Sequence, residues 1–496
     1  AISIAGMLGG VFVIPGIATA YTGSSIWLAF LVAALSILPA VLSKSELATA
    51  MPKSGGAYVF IERALGPLMG TISGIGLWVS LLLKSSFALV GLSAYLLVVV
   101  NTPAIDLKYV SILFLVGIML LNIIGVKKVG KAQLIIVIAS ILSLIALTFV
   151  ALPQVDTNTL KPFLSDGNMG FVSAIAFVYV AFAGVTKIAA IAEEVKNPDK
   201  NLPKAMIISL AIITAIYIII CYVLSGNISF HELSTDIKPI YTLAYKLGGE
   251  TIAYIIGIIG VITLISLANS GVLASSRFPF AMSRDKLLPT SLSKVHPKYL
   301  TPVNTILLTS LIMGLVIVFL DVEKIAKLAS AFKVSMFILV NLSVIILRET
   351  SVQWYNPSYK SPLYPYMQIF GIITGVVLLF YLGLMPVLTL LGIFILGTII
   401  YFNYGVKASR IGVLKRYGHI PALYLLGRNK ETTNLNKIQD KIVNEMIDAS
   451  INKDAGVIIP LLGNETSPSI LIELGASLKQ NKSIQVVNIT EVPDQT

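Results

Sequence analysis

The sequence predicts an all-α membrane protein of twelve spans whose two halves repeat each other in inverted order. Three observations carry that prediction. The 496-residue chain is 56% hydrophobic and only 12% charged, with a mean hydropathy of +0.88, which no soluble protein of this size matches. Its apolar residues gather into about twelve runs long enough to cross a bilayer as helices. Two of those runs, one opening each half, are interrupted in mid-span by residues that suit a helix poorly.

The first interruption lies in AGMLGGVFVIPG, Ala5 to Gly16, inside an apolar run that starts at Ala1. Gly6, Gly9, Gly10, Pro15 and Gly16 are poor helix formers. A break there frees N–H and C=O groups. At membrane depth such backbone is tolerated only inside protein or lining a cavity, which is where transporters bind substrate. The competing explanation is that small residues let two helices pack closely. The second interruption, Ala183-Gly184, lies in the run that begins near Gly170. Two interrupted segments in corresponding positions point to an inverted-repeat transporter.

The remaining runs complete the count, with boundaries uncertain by roughly 2–4 residues. They are expected near 1–20, 24–43, 67–100, 109–126, 132–152, 169–191, 203–225, 250–282, 302–320, 324–347, 366–384 and 386–405. The third and eighth are long enough to tilt or to extend beyond the bilayer. Lysine and arginine concentrate in alternate loops: Lys44, Lys53 and Arg63; Lys127, Lys128 and Lys131; Lys196, Lys200 and Lys204; Arg284, Lys286, Lys294 and Lys298; Arg348 and Lys360. That side is expected to be cytoplasmic, with both termini inside and the chain multi-pass in the cell membrane.

Several classes are disfavoured. The net charge of +12 fits basic cytoplasmic loops and not a nucleic-acid partner. Cys221 is the lone cysteine, so no intrachain disulfide or thiolate cage forms, and His231, His296 and His419 are far apart. No cofactor or metal is expected. No GxxxxGK[ST] string is present, and no nucleophile–base pair is visible in the spans, so neither an ATP-driven pump nor an enzyme is indicated. The first run has no preceding Met and is too long and Gly-rich for a cleaved signal peptide, so a polar leader is expected before it.

Three regions follow from the change in composition: a transmembrane domain over 1–405, a linker over 406–454 and an α/β fragment over 455–496. Lys407, Arg410, Lys415 and Arg416 make the linker's start basic, as topology alone requires. Ile438, Ile442, Met446 and Ile447 have helical spacing. GVIIPLLG (Gly456–Gly463) reads as a buried strand, Ser467 to Gln480 as a helix and SIQVVNITEV as a second strand. Two strands make no stable sheet alone, so this βαβ unit is expected to be the start of a domain or to be completed by a partner.

SELATAMPKSGGAYVFIERALGP (Ser45–Pro67) resembles the loop between the second and third helices of the amino acid–polyamine–organocation transporters. NIIGVKKVGKAQ (Asn122–Gln133), AEEVKNPDKNLP (Ala192–Pro203) and SRDKLLP (Ser283–Pro289) resemble further motifs of that family, in the right order. The tail ending in TEVPDQT is similar to the start of a universal-stress-protein domain, which implies nucleotide binding or homo-oligomer contacts as roles for it. The family resemblance implies five helices repeated with inverted topology, the LeuT-type fold, plus two peripheral helices. It also implies that the substrate's carboxylate meets N–H groups at the first-helix break, and its amine the carbonyls of both breaks. Helix-end dipoles agree with that pairing. Carried over, the first break is Leu8-Gly9-Gly10, where Leu8 departs from the family's small residue. The second is Phe182-Ala183-Gly184, with Phe182 in the place of an aromatic gate, followed by Val185-Thr186.

Ionisable residues inside spans are costly and therefore informative. Lys84, Lys187 and Lys333 lie in the third, sixth and tenth runs. Proton-coupled relatives carry a lysine on the fifth helix; the matching position here is Ser140. Lys84 is the candidate to replace it, the other reading being a lysine that bonds carbonyls freed at a break. Lys187 reads most simply as snorkelling and Lys333 as structural. Ser266, Asn269 and Ser270 share one face of the eighth helix and offer a sodium site, although packing is the commoner role of such residues. The expected function is secondary transport of a neutral, mostly apolar amino acid by alternating access, coupled to H⁺ or, as the lesser choice, Na⁺. The alternatives are a potassium or other cation transporter of the same fold, and a non-transporting amino-acid receptor signalling through its tail. The lipid bilayer is the other partner.

Overall fold

The computed structural model describes residues 2–51, 57–100, 106–125, 129–189, 195–350, 355–405, 455–461 and 483–488. The chain forms two units, Ala1–Lys415 and Arg416–Thr496. The first is wholly helical where described. Its helices are α1 (Ile2–Leu8), α2 (Ile14–Thr22), α3 (Ile26–Ala50), α4 (Ala57–Leu65), α5 (Pro67–Val99), α6 (Leu107–Ile124), α7 (Val129–Ala151), α8 (Gly167–Val178), α9 (Pro198–Asn227), α10 (Phe230–Leu233), α11 (Pro239–Arg284), α12 (Val303–Phe319), α13 (Val322–Glu349), α14 (Tyr366–Tyr381) and α15 (Leu384–Asn403). Among the described residues nine stretches are long and apolar enough to cross a membrane, and Ser3–Phe12, Val303–Phe319 and Tyr366–Tyr381 are shorter apolar helices. Apolar helix lies within each expected run among the described residues, but the structure separates nine spanning stretches and three shorter helices, not twelve equal spans.

The eighth run shows the main difference. Its helix extends back to Pro239, and Gly249 (φ 69°, ψ −164°) kinks it. A residue with a Cβ rarely adopts that φ, so glycine lets an approach helix turn into the span proper.

Burial sorts the helices by role. Much of α5 is buried, packed against α11, α13 and α4, while α3 packs on α9. By contrast Leu113 on α6, Phe149 on α7 and Phe380 on α14 are exposed. Large exposed apolar side chains in such numbers are expected where lipid replaces water as solvent.

Polar networks tie the bundle at both ends. At the end holding the last turns of α3 and α13, Arg348 donates to both oxygens of the fully buried Glu46, at 2.7 and 2.5 Å. The Tyr355 hydroxyl (2.8 Å) and the Ser361 N–H (2.7 Å) donate to the same carboxylate. Burial, then the Glu46 charge, push the Tyr355 hydroxyl far above its usual value, so it keeps the proton it donates. At the opposite end the Tyr21 hydroxyl of α2 donates to Glu323 of α13. Lys327 pairs with Glu323 at 2.9 Å and sits 5.1 Å from the Tyr21 ring centre. Phe177 of α8 lies against the other side of this cluster, its ring 5.3 Å from that of Tyr21.

In the second unit, β1 (Ala455–Leu461) and β2 (Ser483–Asn488) pair in parallel, Ile458 opposite Gln485 and Ile459 opposite Val486. The expected linker helix around 434–451 and the helix over 467–480 lie outside the described residues.

Candidate functional site

Both interruptions expected from glycine and alanine placement are present. The first helix stops at Leu8, continues as a 3-10 turn over Gly9–Phe12, and restarts at Ile14 after Val13, whose backbone (φ −130°, ψ −44°) is not helical. Met7 to Ile14 are all buried. The second helix leaves α-geometry after Val178 and runs as a 3-10 turn over Tyr179–Gly184, with Val185 and Thr186 in a turn beyond. These tighter turns change which N–H meets which C=O and so release polar backbone groups.

The two interruptions touch. A Cβ built on Gly184 would lie 2.4 Å from the carbonyl carbon and 2.6 Å from the carbonyl oxygen of Gly6. A Cβ on Gly6 would meet the Gly184 Cα at 3.1 Å and Lys187 Cδ at 3.0 Å. Gly9 presses on Leu267 and Gly10 on the Tyr217 hydroxyl, each at 2.4 Å from a built Cβ. The glycines therefore serve close backbone approach as well as helix interruption.

Side chains from other helices hold the released groups. Tyr217 of α9 donates to Met7 O at 2.9 Å, and Tyr95 of α5 to Phe12 O at 2.7 Å. Lys84 of α5 donates to Val180 O and Ala181 O at 3.0 and 3.2 Å. Ser330 of α13 donates to Phe177 O at 2.8 Å and accepts from Val180 N–H at 3.0 Å. Tyr217 also stacks on Phe30 with centroids 4.3 Å apart, and Phe182 lies 5.5 Å from the Tyr217 ring. Tyr95, Tyr217 and Ser330 were missed by sequence reasoning. A tyrosine or serine amid an apolar helix is commonplace, and no spacing marks it as a partner of a distant break.

The other predicted residues fall in different places. Leu8, Gly9, Gly10, Phe182, Ala183, Gly184 and Thr186 are all buried at or beside the two interruptions. Lys84 meets carbonyls of the second interruption, the contact its second reading named. Ser140 is buried on α7 and shares a hydroxyl–hydroxyl bond of 2.6 Å with Thr263 of α11. Of the proposed sodium trio, Asn269 accepts from Asn122 at 2.7 Å, Ser270 accepts from the Lys187 ammonium at 3.5 Å, and Ser266 is partly exposed on the same helix. Lys333 lies 3.5 Å from the Thr186 hydroxyl and 4.5 Å from the Phe337 ring centre. Among the described residues no group of three or more His, Cys, Asp or Glu is placed to hold a metal ion.

Two apposed interrupted helices inside a many-helix apolar bundle describe a membrane permease, with its polar backbone displayed only where protein covers it. The chain belongs to the Amino acid permease family, whose sequence profile matches residues 1–403. It is similar to the branched-chain amino acid permease BcaP of Bacillus subtilis (strain 168), 31% identical over 81% of this chain and 90% of that one. The methylthioribose transporter of the same organism is 28% identical over 81% of this chain and 90% of its own length. The serine/threonine exchanger SteT, also from Bacillus subtilis (strain 168), is 29% identical over 73% of this chain and 84% of its own. The family is one of multi-pass transporters and not of enzymes.

Proposed function

We propose that this protein moves a neutral, mostly apolar amino acid across the cell membrane by alternating access, coupled to protons. The observation that carries the reading is the backbone contact of Gly6 with Gly184. It joins two interrupted helices, so a zwitterion held at one lies within reach of the other. The α-carboxylate is assigned to N–H groups over Leu8–Gly10, and the α-amine to carbonyls of both interruptions. Phe182 and Thr186 border that position. Among the described residues no carboxylate stands at either interruption to balance a cationic substrate, while Lys84, Lys187 and Lys333 stand near the second. Two relatives' names, a branched-chain permease and a serine/threonine exchanger, agree with a neutral side chain.

The ammonium of Lys187 against Ser270 weighs against Na⁺ at the Ser266, Asn269 and Ser270 face, and leaves H⁺ as the coupling ion. In this reading the twelve spans form two inverted sets of five plus two, as the family resemblance implies, and the lysine and arginine distribution supports cytoplasmic termini. In this reading the 406–454 linker and the 455–496 fragment regulate and do not transport. Removal of everything after about residue 411 then leaves uptake intact.

The test is uptake of radiolabelled leucine into proteoliposomes, with each of the twenty amino acids as competitor. Accumulation that branched-chain and small neutral amino acids suppress, and lysine and putrescine do not, is expected. Suppression by lysine would overturn the substrate class, and saturable binding without flux would replace transport with reception.

A further inference from the structure

Three lysines, Lys84, Lys187 and Lys333, stand at the second interruption, and Lys44 lies on α3. Lys44, Lys84 and Lys333 are buried and Lys187 is partly exposed. No ion pair joins any of them to a carboxylate among the described residues. The charges that act on them are one another's: Lys187 and Lys333 on Lys84, Lys333 on Lys44, and Lys187 on Lys333. Glu46, the buried carboxylate two residues from Lys44, is taken up by Arg348, Tyr355 and Ser361.

The four are not equivalent. Lys84 is satisfied by two backbone carbonyls at 3.0 and 3.2 Å. Lys333 and Lys187 each reach only one hydroxyl, Thr186 and Ser270, both at 3.5 Å, the outer limit of a hydrogen bond. Lys44 donates no hydrogen bond among the described residues. A buried ammonium without acceptors is costly, and two or three that repel each other compound the cost. Backbone carbonyls offset that cost for Lys84 alone.

We infer that Lys187 and Lys333 form a binding site for a small anion, a halide or a carboxylate, next to Thr186 and the second interruption. The anion would accept from ammonium groups on two separate elements, α13 and the segment after α8. Thr186, whose hydroxyl accepts from Lys333 and keeps its own hydrogen, supplies a further donor, whereas the Ser270 hydroxyl donates to Leu267 O at 3.0 Å. The alkyl chain of Lys187 packs on Gly6, so an anion there also bears on the spacing of the two interruptions. Its partial exposure leaves the anion a route in. The site is separate from the backbone assigned to the substrate's α-carboxylate. Its occupant is either an inorganic ion or the side chain of an acidic amino acid.

The test reads thermal unfolding of the purified full chain in nanodiscs at constant ionic strength. In one arm chloride replaces gluconate; in the other L-glutamate is added in gluconate. A saturable rise in Tm is expected in one arm, and the arm that responds identifies the source. Lys333→Met and Lys187→Met are expected to raise the half-saturating concentration at least tenfold, and Lys333→Gln serves if the Met variants do not fold. No saturable rise in either arm, or unchanged titrations in the variants, would overturn the inference. If no variant folds, equilibrium dialysis of radiolabelled chloride and glutamate against the unsubstituted protein decides, and absence of saturable binding overturns it. None of these readouts needs transport, so failure here is distinguishable from failure of the uptake assay.

Discussion

The hydroxyl of Tyr217 holds the carbonyl of Met7 at 2.9 Å across 210 positions of sequence. Met7 sits one residue before the last of α1, where the helix stops supplying its own donors. Tyr217→Phe keeps the ring on Phe30 and removes only the donor. A buried carbonyl left without a partner costs about 1–3 kcal/mol. The variant is expected to unfold at lower temperature and to bind substrate more weakly, with expression retained. An unchanged Tm and affinity would show that the bond does not hold the interruption.

Gly184 and Gly9 are expected to differ under the same substitution. A methyl group on Gly184 meets the backbone of Gly6, which cannot move aside, whereas one on Gly9 meets the end of the Leu267 side chain. Overpacking costs about 1–3 kcal/mol, and the larger penalty belongs where no rotamer gives relief. Gly184→Ala should lose uptake in inserted, monodisperse protein, and Gly9→Ala should retain a measurable fraction. The reverse order would mean that the two interruptions do not bear on each other. Gly10→Leu, which must displace Tyr217, is expected to abolish binding.

Lys84 is tested by separating exchange from concentration. Lys84→Ala is expected to keep substrate exchange but lose stimulation by an inward proton gradient. Lys84→Arg should fail in the same way, because arginine does not release its proton in this range. Both variants disturb the Val180 and Ala181 carbonyls, so a fall in Tm accompanies the change without explaining a selective loss of coupling. If Lys84→Ala still concentrates substrate when the outside is more acidic, the lysine acts only on the backbone.

The Glu46–Arg348 pair gives a stability prediction. Removing one member of a buried pair strands the other, at about 3–5 kcal/mol. Arg348→Met should therefore lower Tm strongly, and Arg348→Met with Glu46→Gln should recover part of the loss. A double variant no better than the single would mean that Arg348 acts through its stacking on Tyr364, 4.4 Å away.

The interruptions were legible because glycine and alanine in mid-span contradict helix propensity locally. The helix ends were legible because apolar run length is a local property too; the eighth run was expected to begin at 250, beside the kink at Gly249. What holds the interruptions was not legible. Tyr217, Tyr95 and Ser330 act over separations of 83 to 210 residues, and a single sequence carries no trace of such pairs. Lys84 was recognised as anomalous, but its partners on the sixth helix needed the bundle to be assembled. The same holds for Lys44, which sequence reading counted as a loop charge and which is buried on α3.

The bonds that close the two ends of the bundle are unequal in how readily water replaces them. Glu323 and Lys327 keep 50% and 29% of their side-chain surface exposed, against 0% for Glu46 and 19% for Arg348. A hydrated pair surrenders about 0–1 kcal/mol when it parts, whereas a dry, doubly bonded one surrenders several. The Tyr21 end is therefore the easier of the two to part. There one ring is shared between the second half of the first interrupted helix and the first half of the second. Loosening it would free both halves at once without touching the Glu46 pair.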